Sequence, residues 1–293
     1  MADIITLVSA SQGGKRSIAL LVNPSSGGGG GPDVEAELRS RGADVHSYEI
    51  GEHEAVAAAG ADRIVVAGGD GSIGCAAAGA ARAGVPLAVV AVGTANDFAR
   101  ALELPDDVEE ACELAVTGRR TRPLDLAWMD GRPFLNVASA GLAPEAAREA
   151  TSWKDRLGPL AYALGALRAG LTASPVDCQV RCDSAEVYSG RAWQITVACS
   201  GAFGAGSSVD ADPADAKLDV VVIEARSRVA LIKHAHGLSG GSIEEQRGVH
   251  SARGRVAEVG VAAATPFNVD GEVVEAGSSR FKLEPRAFDL VVG

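Results

Sequence analysis

RIVVAGGDGSIG, residues 63–74, decides the fold of the first half of this chain. A short apolar run ends in two glycines, an aspartate and a third glycine. Continuous apolar runs suit strands buried on both faces, while glycines let backbone N–H groups approach an anion that the start of a following helix attracts. The stretch therefore reads as a central parallel strand, a phosphate-sized turn and a helix. Similar runs lie on either side at IALLV (18–22), ADVHSY (43–48) and PLAVVAV (86–92), and the lengths between them suit βα crossovers. Two of these also lead into glycine-bearing turns, NPSSGGGGG (23–31) and GTANDFAR (93–100). In an open parallel sheet the strand C-termini line one crevice, so the three turns should converge on one ligand. A polyphosphate fits such a cradle.

Asp70 narrows the chemistry. The stretch Gly69-Asp70-Gly71-Ser72-Ile73-Gly74 matches the G-x-G-x-x-G dinucleotide pattern. A carboxylate between two phosphate-facing glycines, however, would repel a pyrophosphate unless a divalent cation lay between them. Metal-assisted phosphoryl transfer is the better reading. No G-x-x-x-x-G-K-[ST] stretch occurs, which removes the Walker-type NTPases as a template.

The second half changes period. CQVRC (178–182), RAWQITVA (191–198), LDVVVI (218–223) and RFKLEP (280–285) alternate or run as strands between Asp, Gly and Ser clusters, which predicts antiparallel strands with one face buried. TSWKDRLGPLAYALGALRAGL (151–171) instead repeats its apolar residues at helical spacing. With 293 residues and 47% hydrophobic content, the chain supports two cores. An α/β domain over residues 1–126 and a β-rich domain over 127–293 are expected.

Composition excludes other classes. A formal net charge of −11 repels nucleic acid and anionic bilayers at long range. Any membrane contact must be local. No run approaches the roughly 18 apolar residues of a membrane span, and the start lacks a signal pattern, so a soluble cytoplasmic protein is expected. The odd set Cys75, Cys112, Cys178, Cys182 and Cys199 contains no C-x-x-C pair, and no Cys/His cluster accompanies His234 and His236. Reduced thiols and no zinc site follow.

Asn23-Pro24 with its glycine run, Gly68-Gly69-Asp70-Gly71-Ser72, GTANDFAR and the late Asn268-Val269-Asp270-Gly271-Glu272 share order and spacing with a known family. Together they resemble the diacylglycerol kinase catalytic-domain family, which includes sphingosine kinases and bacterial YegS-like lipid kinases. Leu124-Asp125, Phe134-x-Asn136-x-x-Ser139-x-Gly141 and Asp215-x-x-Leu218-Asp219 extend the likeness over nearly the whole chain. The resemblance implies a nucleotide-binding α/β domain, a β-sandwich domain, and ATP bound in the cleft between them, with the last strand packing back on the first domain. Three departures stand out. Ser72-Ile73-Gly74-Cys75 stands where the family has a threonine followed by Asn-Glu, so that Ser72 must supply the hydroxyl and the amide often seen at position 74 is absent; Glu49 or a neighbour occupies the place of a threonine, and Asp215-Ala216-Lys217-Leu218 replaces Asp-Gly-x-Leu.

The resemblance also suggests roles. Asn23 and the Gly68, Gly69, Asp70, Gly71 and Ser72 turn would hold the ATP phosphates, together with Gly93 and Thr94. Magnesium would bridge the phosphates to Asp70. Asn96 and Asp97 would shape the pocket, Asp97 having a rival role as N-cap of the helix near Phe98. Asp270 with Glu272 would take the acceptor's proton, against Asp70 as the competing base and a plain type I′ turn as the structural alternative. A second cation would sit at Asp215, with Asp212 and Lys217 carbonyls nearby, against a solvated acidic loop. Glu145 would contact the lipid head group. Trp153, Leu157, Leu160 and Leu164, flanked by Lys154, Arg156 and Arg168, would either dip into the headgroup region at the inner membrane face or pack in a core. The expected activity is an ATP- and magnesium-dependent lipid kinase. A soluble-substrate kinase of the NAD-kinase type, a nucleotide-binding homologue without turnover, and a homodimer stay open.

Overall fold

Ile18, Leu20, Ile64, Val65, Leu87 and Val90 are fully buried, as runs apolar on both faces require. They belong to the first of two compact units into which the chain divides, Met1–Leu126 with Glu284–Gly293, and Ala127–Leu283. The computed structural model describes residues 5–7, 15–23, 33–142, 174–200, 202–203, 207–208, 211–226 and 247–293. The predicted helix at 151–171, Glu145, and the glycine run at 27–31 lie outside the described residues.

The described elements of the first unit are β1 (Thr6–Leu7), β2 (Ser17–Val22), α1 (Val34–Ser40), β3 (Asp44–Glu49), α2 (His53–Ala58), β4 (Arg63–Gly68), α3 (Asp70–Ala83), β5 (Leu87–Ala91), α4 (Asp97–Ala101), α5 (Val108–Thr117) and most of β6 (Arg120–Met129). Four strands form a parallel sheet in the order β3-β2-β4-β5, with Leu20 beside Ser47 and Val65, and Val66 beside Val89. Leaving β2, the chain first steps to one side and then crosses to the other. That reversal makes the carboxyl ends of β2 and β4 a topological switch point, where open α/β sheets place their ligands. Asn23 follows β2 and Gly69 follows β4. α1 and α5 cover one face through Val34, Leu38, Ala111 and Ala115, which cluster with Ile18, Leu20, Val65 and Val90.

The second unit continues through β7 (Arg132–Phe134), β8 (Val137–Gly141), β9 (Val176–Cys182), β10 (Ala185–Ala198), β11 (Ala202–Phe203), β12 (Ser207–Ser208), β13 (Leu218–Glu224), β14 (Val249–Gly254), β15 (Val256–Gly260), β16 (Thr265–Val269), β17 (Glu272–Ala276) and the start of β18 (Ser279–Val292). Apart from the separate β11–β12 pair, these strands pair antiparallel around a shared core, but β13 and the second half of β10 are buried at nearly every position, where the sequence predicts alternation with one exposed face. In β9, Cys178, Val180 and Cys182 are buried, while Asp177, Gln179 and Arg181 are exposed. The first half of β10 pairs with β9, and its second half lies between β8 and β13. Phe281 anchors the interior, with ring centroids 6.2 Å from Phe134 and 6.4 Å from Phe267. The rest of β18 belongs to the first unit, where Leu290 pairs in parallel with Leu87 of β5.

Arg63 is a buried charge that organises the first unit. It begins β4, is 0% exposed, and its guanidinium donates to the carbonyls of Ala115 at 2.5 Å and Gly118 at 2.7 Å, with Leu114 at 3.4 Å. Those carbonyls lie at the end of α5, where intrahelical donors run out, although Leu114 O also accepts from Gly118 N at 2.9 Å. Burial pushes the Arg63 guanidinium down to about 9, with Arg16 adding to the push and Asp62 opposing it. The group still carries its charge at neutral pH, where it meets the negative end of the helix dipole.

Arg63→Met keeps most of the side chain's volume but leaves the α5 carbonyls without their donor. A loss of about 1–3 kcal/mol is expected. Urea denaturation should show it as a lower midpoint with an unchanged slope.

Candidate functional site

Asn23, which follows β2, and the turns after β4 and β5 are tied together in the first unit. Asn23 donates from its amide backbone to Ala67 O at 3.4 Å, and its side-chain Nδ2 donates to Ser72 Oγ at 3.1 Å. Val92 N donates to Gly68 O at 3.1 Å. The tightest approach is glycine against glycine: a Cβ built on Gly93 would lie 2.5 Å from Gly69 Cα and 2.7 Å from Asn96 Oδ1. No side chain fits there. A Cβ on Gly68 would likewise meet Ser72 at 2.7 Å. The glycines thus serve the approach of one turn to another, besides leaving N–H groups open to a ligand.

Asp70 joins the second turn to the third. It is the first residue of α3, yet its Oδ1 accepts from Phe98 N at 2.9 Å and its Oδ2 from Asp97 N at 3.1 Å. These amides open α4, so the carboxylate caps a helix that starts 27 residues later. The N-cap position itself falls to Asn96, which has φ +51°, and not to Asp97. Asp97 instead pairs with Arg100 at 3.3 Å, while Arg100 also donates to Ala95 O at 2.7 Å. The left-handed conformation of Asn96 is one that asparagine tolerates better than most residues, and such strain gathers at functional turns. Its Oδ1 is buried and has no donor among the described residues. Thr94 is exposed at the tip of the same turn. Ser72 differs from its expected place: at 2% exposure, its hydroxyl faces Asn23 and ties two turns together.

In the second unit, Asp270 and Gly271 have φ of +47° and +90°, and Val269 pairs with Glu272 across them. This is a two-residue hairpin of type I′ form, the structural alternative the sequence left open. The turn also holds a carboxylate in place. Asp270 is 8% exposed and accepts from the amides of Leu135 at 2.7 Å, Asn136 at 3.0 Å and Val137 at 2.9 Å. The amide of Asp270 donates back to Val137 O at 3.0 Å. Asn136, also buried, accepts from the Ser200 hydroxyl at 2.7 Å through its Oδ1. Glu272 lies at the exposed end of the turn and forms an ion pair with Arg132. Arg132 escaped the sequence reading because its own Asp130-Gly131 turn gave no hint that β7 lies within reach of Glu272.

In the Asp212–Lys217 stretch the described carboxylate contacts are to backbone amides and to Arg253. Asp212 Oδ1 accepts from Ala214 N at 3.0 Å, Asp215 Oδ1 accepts from Lys217 N at 3.0 Å, and Arg253 pairs with the Asp215 carboxylate. Among the described residues no three His, Cys, Asp or Glu side chains converge on a common point. Magnesium commonly uses one or two carboxylates together with substrate phosphates, so the single Asp70 carboxylate at the glycine turns fits a cation that arrives on a nucleotide. The thiols offer no alternative chemistry. None of the five cysteines is disulfide-bonded, and burial pushes Cys112 and Cys178 up to about 11, well away from thiolate at neutral pH.

Similarity to known proteins follows the same division. A family model of the diacylglycerol kinase catalytic domain matches residues 17–129, and one of the YegS C-terminal NAD kinase beta sandwich-like domain matches residues 136–292. A diacylglycerol kinase of Bacillus subtilis (strain 168) is 30% identical over 218 residues, covering 72% of this chain and 71% of its own. One from Staphylococcus saprophyticus is 28% identical over 256 residues, covering 82% of each chain. A crystal structure of a diacylglycerol kinase from Bacillus anthracis str. Sterne shares the fold with a TM-score of 0.71 at 22% identity, over 95% of this chain and 97% of that one.

Gly93→Ala drives a methyl group into Gly69 and Asn96, separating turns that must approach. Nucleotide affinity should fall by at least about tenfold, the equivalent of roughly 1.4 kcal/mol. Equilibrium binding of ATP measures it, with Gly277→Ala as a control at a position where an added Cβ comes no closer than 3.6 Å to Ala263 Cα.

Proposed function

This chain belongs to the diacylglycerol kinase catalytic-domain family, and on that footing we propose that it is a magnesium- and ATP-dependent lipid kinase, moving the γ-phosphoryl group of ATP to a hydroxyl of a lipid such as diacylglycerol, phosphatidylglycerol or a sphingoid base. The observation that carries the proposal is the Asp70 carboxylate bound to the Asp97 and Phe98 amides, which fastens the GGDG and GTAND turns into one cradle. Nucleotide binding is assigned to residues 1–126 and lipid recognition to the β-rich residues 127–293.

Phosphoryl transfer is mainly positioning and charge neutralisation. Backbone N–H groups of Gly68–Ser72 and Gly93–Thr94, at the positive end of the 14-residue helix α3, suit phosphate oxygens. Asn96 Oδ1, buried without a donor among the described residues, suits a ribose hydroxyl or a base amine. Magnesium carried by ATP, held through Asp70, would offset charge on the β- and γ-phosphates. In the transfer an acceptor hydroxyl loses its proton to a base, its oxygen bonds to the γ-phosphorus, and the bond to the β-phosphate oxygen breaks to release ADP; the proposed base is a carboxylate of the Asp270-Gly271-Glu272 turn. Three amide donors fix the Asp270 carboxylate, so it is oriented before substrate arrives. Glu272, with Arg132, is the accessible member.

The acceptor comes from a bilayer. No helix among the described residues is long and apolar enough to cross one. A lipid acceptor and an ATP donor together fit a cytoplasmic protein with peripheral contact at the inner membrane face. The head-group role of Glu145 belongs to this proposal. A net charge of −11 disfavours nucleic acid as a partner.

Incubation with radiolabelled ATP and vesicles carrying each candidate lipid should put label in the lipid fraction, in a magnesium-dependent way. Label on soluble NAD would favour an NAD-kinase-type activity, and ATP binding with no acceptor labelled would favour a homologue without turnover.

Asp270→Asn and Glu272→Gln should lower kcat by about 100-fold or more, in line with loss of a general base, while ATP affinity stays near wild type. Weakened ATP binding at an unchanged kcat would remove the turn from proton transfer. A thermal melt belongs beside the Asp270→Asn assay, because an amide side chain cannot accept from all three backbone donors.

A further inference from the structure

The position of Arg253 is set by strand register. β13 and β14 pair so that Arg253 lies directly opposite Asp219, with both side chains on one face of the sheet. Asp219 is only 2% exposed, and a carboxylate removed from water needs a cationic or strongly hydrogen-bonding partner. Arg253 Nε lies 2.7 Å from Asp219 Oδ1, and its Nη2 bonds the Asp215 carboxylate. The planar guanidinium thus spans two carboxylates, a task its fixed fork of donors suits better than a lysine would.

We propose that Arg253 takes, in this chain, the place of the divalent cation expected at Asp215, so that the 212–218 loop is held to β13 and β14 by a guanidinium and not by metal. The surroundings agree. Two further carboxylate contacts stay within the loop: Asp215 Oδ1 accepts from Lys217 N and Asp212 Oδ1 accepts from Ala214 N. A divalent ion at Asp215 would stand beside a permanent positive charge and compete with it for the same oxygen. Burial alone would lower the Arg253 pKa, but Asp219 and Asp215 outweigh it and hold the guanidinium above its ordinary value. The positive φ of Ala216, +63°, belongs to the same turn and brings Lys217 N back onto Asp215. On this view, loop order is independent of magnesium, and any magnesium requirement of the protein arises from the nucleotide.

The test uses the whole chain without ATP or lipid, so its outcome stands apart from the kinase proposal. Thermal unfolding is followed in EDTA and in millimolar magnesium. Wild type should melt at the same temperature in both. Arg253→Met should melt several degrees lower in EDTA and recover part of that loss in magnesium, and adding Asp215→Asn should abolish the recovery. A wild-type gain in magnesium that Asp215→Asn removes would overturn the proposal, as would an Arg253→Met protein that magnesium does not rescue. Should Arg253→Met fail to fold, manganese binding to the wild type by electron paramagnetic resonance decides. No nucleotide-free site supports the substitution of arginine for metal, and a site lost in Asp215→Asn refutes it.

Discussion

Contact between Gly69 and Gly93, locked by the Asp70 carboxylate on the amides of Asp97 and Phe98, sets the geometry of the nucleotide turns. Each half of this lock needs the other. Without side chains at 69 and 93 the two backbones approach closely enough for one carboxylate to leave α3 and reach α4. That carboxylate in turn neutralises donors that would otherwise be orphaned at a helix start.

The same device recurs in the second unit. Asp270 binds three consecutive amides of the 135–137 segment across more than 130 residues of sequence, so a carboxylate again fixes a stretch of backbone that has no ladder partner for those amides. Hydrogen bonds to a charged acceptor are stronger than neutral ones, and burial strengthens them further. Asp70 and Asp270 are therefore constrained in orientation before any ligand binds. The functional reading depends on that preorganisation, because an electrostatic site gains little from groups that must first reorient.

Much of the fold was legible in the sequence because it followed from period. Ile18–Leu21 and Ile64–Val66 are apolar at every position, which only a strand covered on both faces tolerates, and the structure places them in neighbouring parallel strands. Cys178, Val180 and Cys182 alternate with polar residues, and β9 buries them on one side. The approach of the turns after β4 and β5 was legible too, since it follows from strand direction. Pairings across long stretches were not. Nothing local announces that Asp70 caps α4, that Arg63 caps α5, or that Arg132 meets Glu272, because each contact joins residues that only the folded chain brings together. The sequence also left Asp97 a cap role that Asn96 fills, and assigned to glycine's affinity for phosphate what is partly glycine's permission for close backbone contact.

Ser72 and Gly74 show how a departure from a family pattern can be absorbed. The hydroxyl at position 72 is buried against Asn23, where it joins the β2 turn to α3, and serine supplies that oxygen as well as threonine would. Gly74 lies on the buried side of α3, among Ala76, Ala77, Ala78, Gly79 and Ala80. Glycine inside a helix costs about 0.5–1 kcal/mol relative to alanine. In a helix packed against the sheet through small residues, however, that cost is set against close approach to β4. Both substitutions thus bear on the packing of α3, Ser72 through its bond to Asn23 and Gly74 through its place on the buried side of the helix.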